Sequence, residues 1–585
     1  MTMRLNIATL CVVASFSIAL SGCGSKEKAD QIFIGGPVVT MNDANRTAEA
    51  VAIKDGRILA VGTESEVMSH RGSATVVTDL DGMTLMPGFV DSHGHFMNAL
   101  QVVTWANVSP PPVGPGKDIA SVVDAMKAHA EKQKPAPGEW IVGYGYDGNE
   151  LTDGRELTVD DLDTVFPDNP VMILHVSNHG AVLNSAGFKK VGISAQTPTP
   201  EGGVILRKND GSNRPSGLIM ETALIPLFAN MPQPSEQEML DTFAAAQEIY
   251  TSKGTTTVSE GATSARDFAL LRKAADQGRL VVDIVSLPFG LDAPSYDAMV
   301  EKQEFSEDDF AAIVDAAADK FGKYENRFKI GGVKFTIDGS PQGRTAWWTE
   351  PLLTSGPGGE QNWSGQPIMP VDLYKKAFKI LHDRGIRVFS HANGDAAVDL
   401  AIEAAREAGV TPGQDMRHAV IHSQFMRPEQ IDAYAELGLV PSFFTVHTFL
   451  WGDQHWENTG ERANFISPLK AAQNAGIRFS NHNDFSVTPV DPMFMMQTAM
   501  LRTTRSGRVL GEDQRVDAWT ALKALTIDGA YFYKEEDSKG SIEVGKLADL
   551  VILDGNPLTT EPQTLTDIGI VETFKEGKSI YRRGD

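Results

Sequence analysis

The chain has 585 residues, 42% of them apolar and 22% charged, with 54 glycines, 31 prolines and two cysteines. This balance excludes a disordered, collagenous or low-complexity protein, and a prior of roughly 150 residues per domain allows about four domains unless a barrel absorbs more. The 52 basic against 76 acidic residues give a formal charge of −24, which argues against a nucleic-acid partner and against a polybasic membrane patch, while two cysteines make no disulfide framework.

The first element is a leader. Arg4 precedes a mostly apolar, uncharged run from Ile7 to Leu20, followed by Ser21-Gly22-Cys23-Gly24. A basic start, a short apolar stretch and small residues read as an export signal, and the run is too short to span a bilayer with confidence. Leu20 to Cys23 is similar to a bacterial lipobox, whose cysteine is acylated and becomes the mature N-terminus. The expectation is a signal over 1–22 that takes Cys11 with it, lipidation at Cys23, and an exported protein held to the membrane by lipid alone. Gly24 favours the outer membrane facing the periplasm in a Gram-negative source, with the cell surface as the other location.

From Asp30 to about Leu85 short β-like pieces follow one another: Gln31–Ile34, Val51–Ile53, Arg57–Val61 and Thr75–Val77. Lys54-Asp55-Gly56-Arg57 is a hairpin signal. The C-terminus returns to this style in Gly545–Asp554 and Ile580-Tyr581, so one small β-sandwich domain built from both ends is expected, over 23–85 and 536–585. Between them, over 86–535, β-branched runs alternate with Ala-rich helical stretches such as Glu238–Ser252, Asp308–Phe321 and Val398–Ala408. Eight strands are predicted: Thr84–Val90, Thr255–Ser259, Val281–Ser286, Lys329–Ile337, Ile386–Ser390, Ala419–His422, Val440–Val446 and Ile477–Ser480. An α/β fold with a (β/α)8 TIM-like barrel is the architecture they imply. The gap after the first strand is too long for a loop and predicts an insert over about 100–250, with strands near Trp140–Tyr144 and Val171–Val176.

The chemistry-bearing residues lie at the ends of these strands. Pro87-Gly88-Phe89-Val90-Asp91-Ser92-His93-Gly94-His95 runs an apolar strand into two histidines at i and i+2, a spacing that lets both imidazoles face one metal ion. Lys334 sits among apolar and β-branched neighbours, where an ammonium ion is costly. His391, His422 and Asp484 close the fifth, sixth and eighth strands. His418 is a rival for His422 on the same strand face, and His422 is preferred because it lies at the C-terminal end, where barrel enzymes place their chemistry.

Taken together, these pieces make the chain resemble the amidohydrolase superfamily, and within it the amidohydrolase family 3 group that includes N-substituted formamide deformylases. The motifs are Pro87–His95; Lys334 with Asp338-Gly339-Ser340 and Gly343-Arg344-Thr345-Ala346; Ser390-His391-Ala392-Asn393-Gly394-Asp395; Asp484 with Pro489 and Asp491-Pro492; and Gly540–Leu550. His179-Gly180-Ala181-Val182-Leu183-Asn184-Ser185 in the insert also looks like this group. Ile421 and Asn483 depart from the pattern, and neither is a ligand position. The resemblance implies that His93, His95 and Asp484 hold one divalent metal, that His391 and His422 hold a second, and that Lys334, carboxylated by CO2, bridges them. Zinc is the default ion for such donors.

The implied reaction is hydrolysis of a C–N bond, in an amide or an N-formyl or N-acyl amine, by a metal-activated hydroxide, with Asp484 as base and then acid. His179 and Arg344 are candidate substrate contacts, and Tyr144, Tyr146 and Trp347 candidate pocket walls. A cyclic amide, an ester or a deaminated ring is the alternative substrate. A non-catalytic, lipid-anchored binding protein is the alternative class, and it would be marked by lost ligands.

Overall fold

A computed structural model describes residues 26–584 apart from 177–179, 201–202, 232–233, 289–319 and 358. The leader with Cys11 and Cys23, residue His179, and all but the end of the helix expected over Asp308–Phe321 lie outside the described residues. Among the described residues no helix is long and apolar enough to cross a membrane.

Both chain ends contribute to a pair of sheets. Asp55 and Gly56 take φ of 49° and 74°, the doubly left-handed turn that Asp-Gly favours, and so join Ala50–Lys54 to Arg57–Gly62. These strands continue through Gln31–Ile34 to Val76–Asp79 in a four-stranded sheet. The second sheet is sewn across the chain: Thr84–Pro87 pairs antiparallel with Leu550–Leu553, which pairs with Ile570–Lys575. Phe33, Val51, Leu85, Leu550 and Phe574 fill the space between the sheets, with the rings of Phe33 and Phe574 edge-on at 5.4 Å.

The strand predicted over Thr84–Val90 is two strands in different sheets. Thr84–Pro87 belongs to the sandwich and Phe89–Val90 to the barrel. A Cβ at Gly88 would meet the Thr256 side chain at 2.4 Å, so only glycine lets the chain pass from one sheet to the other there. The strand predicted over Lys329–Ile337 is also divided, into Phe328–Ile330 and Val333–Thr336. Gly331 still donates to Ser286 O on one neighbour, while Val333 donates to Arg387 O on the other. A Cβ at Gly332 would lie 2.5 Å from Arg387 O.

With that step the barrel strands follow one another in parallel and in chain order: Phe89–Val90, Thr255–Thr263, Asp283–Pro288, Phe328–Ile330 with Val333–Thr336, Val388–Ala392, Ala419–His422, Val440–Phe443 and Ser480–Asn481. The last comes back to the first, where Asp484 N donates to His93 O at 3.1 Å. Helices such as Ala265–Asp276, Asp395–Ala408 and Pro428–Leu437 pack outside. The helix expected over Glu238–Ser252 is broken at Thr242 into Glu236–Asp241 and Phe243–Thr251.

Between the first two barrel strands stands a separate six-stranded sheet that includes Ile141–Tyr146, Val171–His175 and Gly180–Leu183. Its residues alternate between two cores. Val171 and Ile173 join one cluster and Met172 the other, as strand period two requires.

Candidate metal centre

His93, His95 and Asp484 follow the ends of barrel strands, His391 and His422 lie in the last two residues of theirs, and Lys334 lies within Val333–Thr336. His422 and Asp484 have φ of 73° and 53°, left-handed values that non-glycine residues rarely adopt and that recur at functional sites. Glycines bring the pieces together: a Cβ at Gly94 would lie 2.8 Å from Asp91 Oδ2, and one at Gly261 would lie 2.4 Å from the His93 ring.

The result is one cluster. His93 Nε2 and His95 Nε2 lie 3.4 and 3.3 Å from the same oxygen, Asp484 Oδ1. Lys334 Nζ is 3.5 Å from His93 Nε2. His391 Nδ1 and His422 Nε2 face each other at 3.1 Å. Thus all six residues named from the sequence as ligands come together. Asn483 Nδ2 donates to Asp91 Oδ1 at 3.2 Å beneath them.

Two further residues belong to the cluster that were not singled out from the sequence. His482, fully buried, forms with His422 and Asp484 a second group whose donor atoms all lie within 4.8 Å of one another. Glu260, in the C-terminal half of the second strand, accepts Met97 N at 2.7 Å and Ala262 N at 3.2 Å, and so pins the chain that follows His95. The strand-end rule that finds His391 and His422 also points to Glu260, and the i, i+2 spacing of His93 and His95 recurs in His482 and Asp484.

Burial controls the charge states. It drives His93 and His422 well below the usual imidazole range and brings His391 and His482 down to about 3, which leaves bare nitrogen lone pairs for a cation. Burial also raises a carboxylate, but the hydrogen bond and charge of His95 outweigh it at Asp484, whose pKa ends below the ordinary value. Lys334 is brought down to about 8 by burial, although Asp484 and Glu260 favour its charge through space.

These donors fit a divalent cation. Asp484 Oδ1 is buried and faces His93 Nε2 and His95 Nε2, and a carboxylate oxygen among imidazole nitrogens is the donor set of zinc-type sites.

His418 is not part of the cluster. It sits at the other end of its strand, where Nδ1 accepts Val388 N at 3.0 Å and Nε2 meets His382 Nδ1 at 3.0 Å. His418→Phe is expected to cost about 1–3 kcal/mol of stability by leaving a buried N–H unpaired. Metal content and turnover are expected to stay at wild-type levels, as checked by urea unfolding, elemental analysis and kinetics. Arg344 donates to Ser355 O at 3.0 Å and its carbonyl accepts Trp363 Nε1 at 2.7 Å, so it braces the loop after the fourth strand. Tyr146 is core, with its hydroxyl between Glu156 and Leu157 N. Trp347 is half-buried against the main core.

Next to the cluster lies a cavity of about 290 Å³ between barrel and insert. Tyr144, Ile249, Leu450, Trp451, Phe485 and Val490 make its apolar walls, and Phe485 directly follows Asp484. Glu150 and Arg505 pair at 2.9 Å at this cavity.

A barrel whose strand ends gather imidazoles, a lysine and a carboxylate defines a metal-dependent hydrolase. The chain belongs to the amidohydrolase family, whose sequence profile matches residues 76–581. It is 27% identical over 573 residues to an N-substituted formamide deformylase of Arthrobacter pascens, covering 95% of this chain and 98% of the relative. Among solved structures it is similar to an uncharacterized metal-dependent hydrolase from Pyrococcus horikoshii OT3, with TM-score 0.69, 22% identity and coverage of 91% and 99% of the two chains. A second such hydrolase, from Pyrococcus furiosus, gives TM-score 0.67 and 24% identity over 90% of this chain and 100% of the other. Membership of the amidohydrolase family makes this chain an enzyme of carbon–nitrogen bond hydrolysis.

Proposed function

We propose that the enzyme hydrolyses an N-formyl or N-acyl amine whose nitrogen carries an apolar group. The observation that carries this reading is Asp484, whose buried carboxylate is shared by two groups of histidines and whose Oδ1 faces both His93 Nε2 and His95 Nε2. His93, His95 and Asp484 would hold one divalent ion, and His391 and His422 a second, with zinc the expected metal at both. Lys334 would bridge them as a carbamate, and a buried amine brought down to about 8 is available to CO2 near neutral pH. When bound, the ions polarise the carbonyl and lower the pKa of water.

The chain's own residues do the rest. Asp484, ionised at neutral pH, accepts the proton of the attacking water and delivers it to the departing nitrogen. The apolar cavity beside Phe485 receives the nitrogen substituent and keeps bulk water from it. The A. pascens relative, an N-substituted formamide deformylase, agrees with this division into a small acyl part and a larger amine part.

The test is an activity screen of zinc-loaded protein against N-formyl and N-acyl amines, dipeptides, cyclic amides and esters. The expected outcome is highest kcat/KM for acyclic amides of apolar amines, and preference for a cyclic amide or ester would overturn the assignment. Val113, at the cavity's half-buried edge, gives a second check. Val113→Trp is expected to raise KM at least about tenfold, or 1.4 kcal/mol, for bulky amine groups and to leave N-methylformamide unaffected. The leader adds a separate proposal, acylation at Cys23, for which labelled palmitate should enter the wild type and not Cys23→Ala.

A further inference from the structure

A line of hydrogen bonds crosses the floor of the site from one backbone carbonyl to another. At one end His391 Nε2 lies 3.2 Å from Gly339 O. His391 Nδ1 meets His422 Nε2 at 3.1 Å, and His422 Nδ1 meets His482 Nε2 at 3.0 Å. His482 Nδ1 meets Ser442 Oγ at 2.8 Å, and Ser442 Oγ meets Ser92 Oγ at 3.0 Å. Ser92 Oγ in turn reaches Asn481 O at 3.4 Å.

A neutral imidazole has one N–H and one lone pair, and a carbonyl only accepts. Asn393 Nδ2 lies 3.0 Å from the same His391 Nε2 and donates to Gly339 O at 2.8 Å, so it competes for this end of the line; with the His391 proton on Nε2, directed at Gly339 O, Nδ1 is bare. The remaining line can be completed in two ways. In the first, His422 and His482 donate from Nε2, Ser442 donates to His482 and Ser92 donates to Ser442. In the second, His422 donates from Nδ1 to His482, His482 from Nδ1 to Ser442, Ser442 to Ser92, and Ser92 to Asn481 O. No proton enters or leaves between the two; each imidazole exchanges the nitrogen that carries its proton, and each hydroxyl turns.

Only the second arrangement leaves His422 Nε2 bare opposite the bare Nδ1 of His391. Two lone pairs 3.1 Å apart repel each other and form half of a cation site. The second arrangement needs an acceptor for the His422 Nδ1 proton. His482, Ser442 and Ser92 are all fully buried, so bulk water does not supply one and the acceptor is His482.

We infer that His482, anchored by Ser442, is the positioning residue that selects the bare nitrogen of His422 and so completes the cation site of His391 and His422. The inference rests on the two-metal reading above. Partners that fix the tautomer of a ligating histidine typically change metal affinity 10–100-fold when removed.

The experiment follows zinc bound to the purified full-length chain during competition with a chelator of known affinity. Wild type is expected to carry two equivalents. His482→Leu, which has no acceptor, is expected to release one equivalent at roughly 10–100-fold weaker competition and to keep the other. His482→Gln, whose amide oxygen can accept from His422 Nδ1, is expected to stay within about threefold of wild type. Ser442→Ala, which removes only the anchor, should shift the same equivalent by less and covers the case in which the leucine variant fails to fold. Wild-type retention in both His482→Leu and Ser442→Ala overturns the inference. Equal loss in His482→Gln and His482→Leu also overturns it, since His482 would then be a ligand. A wild type that takes up fewer than two zinc ions brings down the two-metal reading itself.

Discussion

Asp484→Asn is expected to lower kcat by at least about 10³-fold, within the range set by removal of a general acid–base group. The substitution keeps the volume and one carbonyl oxygen but removes the negative charge that His93 and His95 face at 3.4 and 3.3 Å. It also removes a carboxylate held below its ordinary pKa, whereas burial raises Asp91 to about 7 and raises Glu260 as well. The backbone around residue 484 is held independently, through Asp484 N to His93 O and Val487 N to Asp484 O, so the fold should survive. Single-turnover kinetics with circular dichroism and zinc analysis check the result. A folded variant within tenfold of wild-type kcat would show that Asp484 does not carry the proton.

The second large effect lies at the opposite end of the barrel. Asp283 opens the third strand and pairs with Lys539 of the segment that leads from the barrel into the sandwich, with Lys575 of the sandwich at 2.6 Å and with Arg327 at 3.3 Å. Lys539 also meets Glu535 at 3.0 Å, Glu535 pairs with Lys329, and Lys575 meets Asp549 at 2.7 Å. The chain thus ties barrel and sandwich together through buried ions. Asp283→Ala leaves two buried ammonium groups sharing too few carboxylates, and breaking such a pair typically costs about 3–5 kcal/mol. Urea unfolding should read that loss, with turnover per folded molecule unchanged; a loss below about 1 kcal/mol would show the network to be indifferent to this carboxylate.

The pH dependence of that loss has a definite sign. Burial raises the Asp283 pKa, but Lys539 and Lys575 outweigh it and hold the carboxyl well below its ordinary value of 3.8. A group with a depressed folded-state pKa contributes stability that is complete above the unfolded value and disappears as pH falls through the folded one. The difference between wild type and Asp283→Ala is therefore expected to be flat from pH 8 to about 5 and to shrink progressively as pH falls below about 4.

Much of this molecule is legible in its amino-acid order. Ala419–His422 reads as a strand from its residues and forms one with those boundaries. Asp55-Gly56 makes the turn its composition demands. Other elements escape a local reading because their limits are set by neighbours far along the chain. Gly88 divides a continuous apolar run because Thr256 leaves no room for a Cβ, and Gly332 does so because Arg387 O comes close. Glu260, within an ordinary Thr-rich strand, gains its meaning only from Met97 N and from the neighbourhood of His95.

The site divides in the same way. Residue type and position along the strands mark His93, His95, Lys334, His391, His422 and Asp484 as candidates, because a buried imidazole, amine or carboxylate is costly wherever the chain places it, and the family resemblance supplies their roles as ligands. Which nitrogen faces which group was decided by tertiary structure alone. Lys334 meets His93 across 241 residues and His422 meets His482 across 60, distances in sequence that only the closed ring of strands removes. Local order sets the chemistry each residue carries, whereas the hydrogen-bond partner that orients it comes from packing between segments that carry no information about each other until the barrel closes.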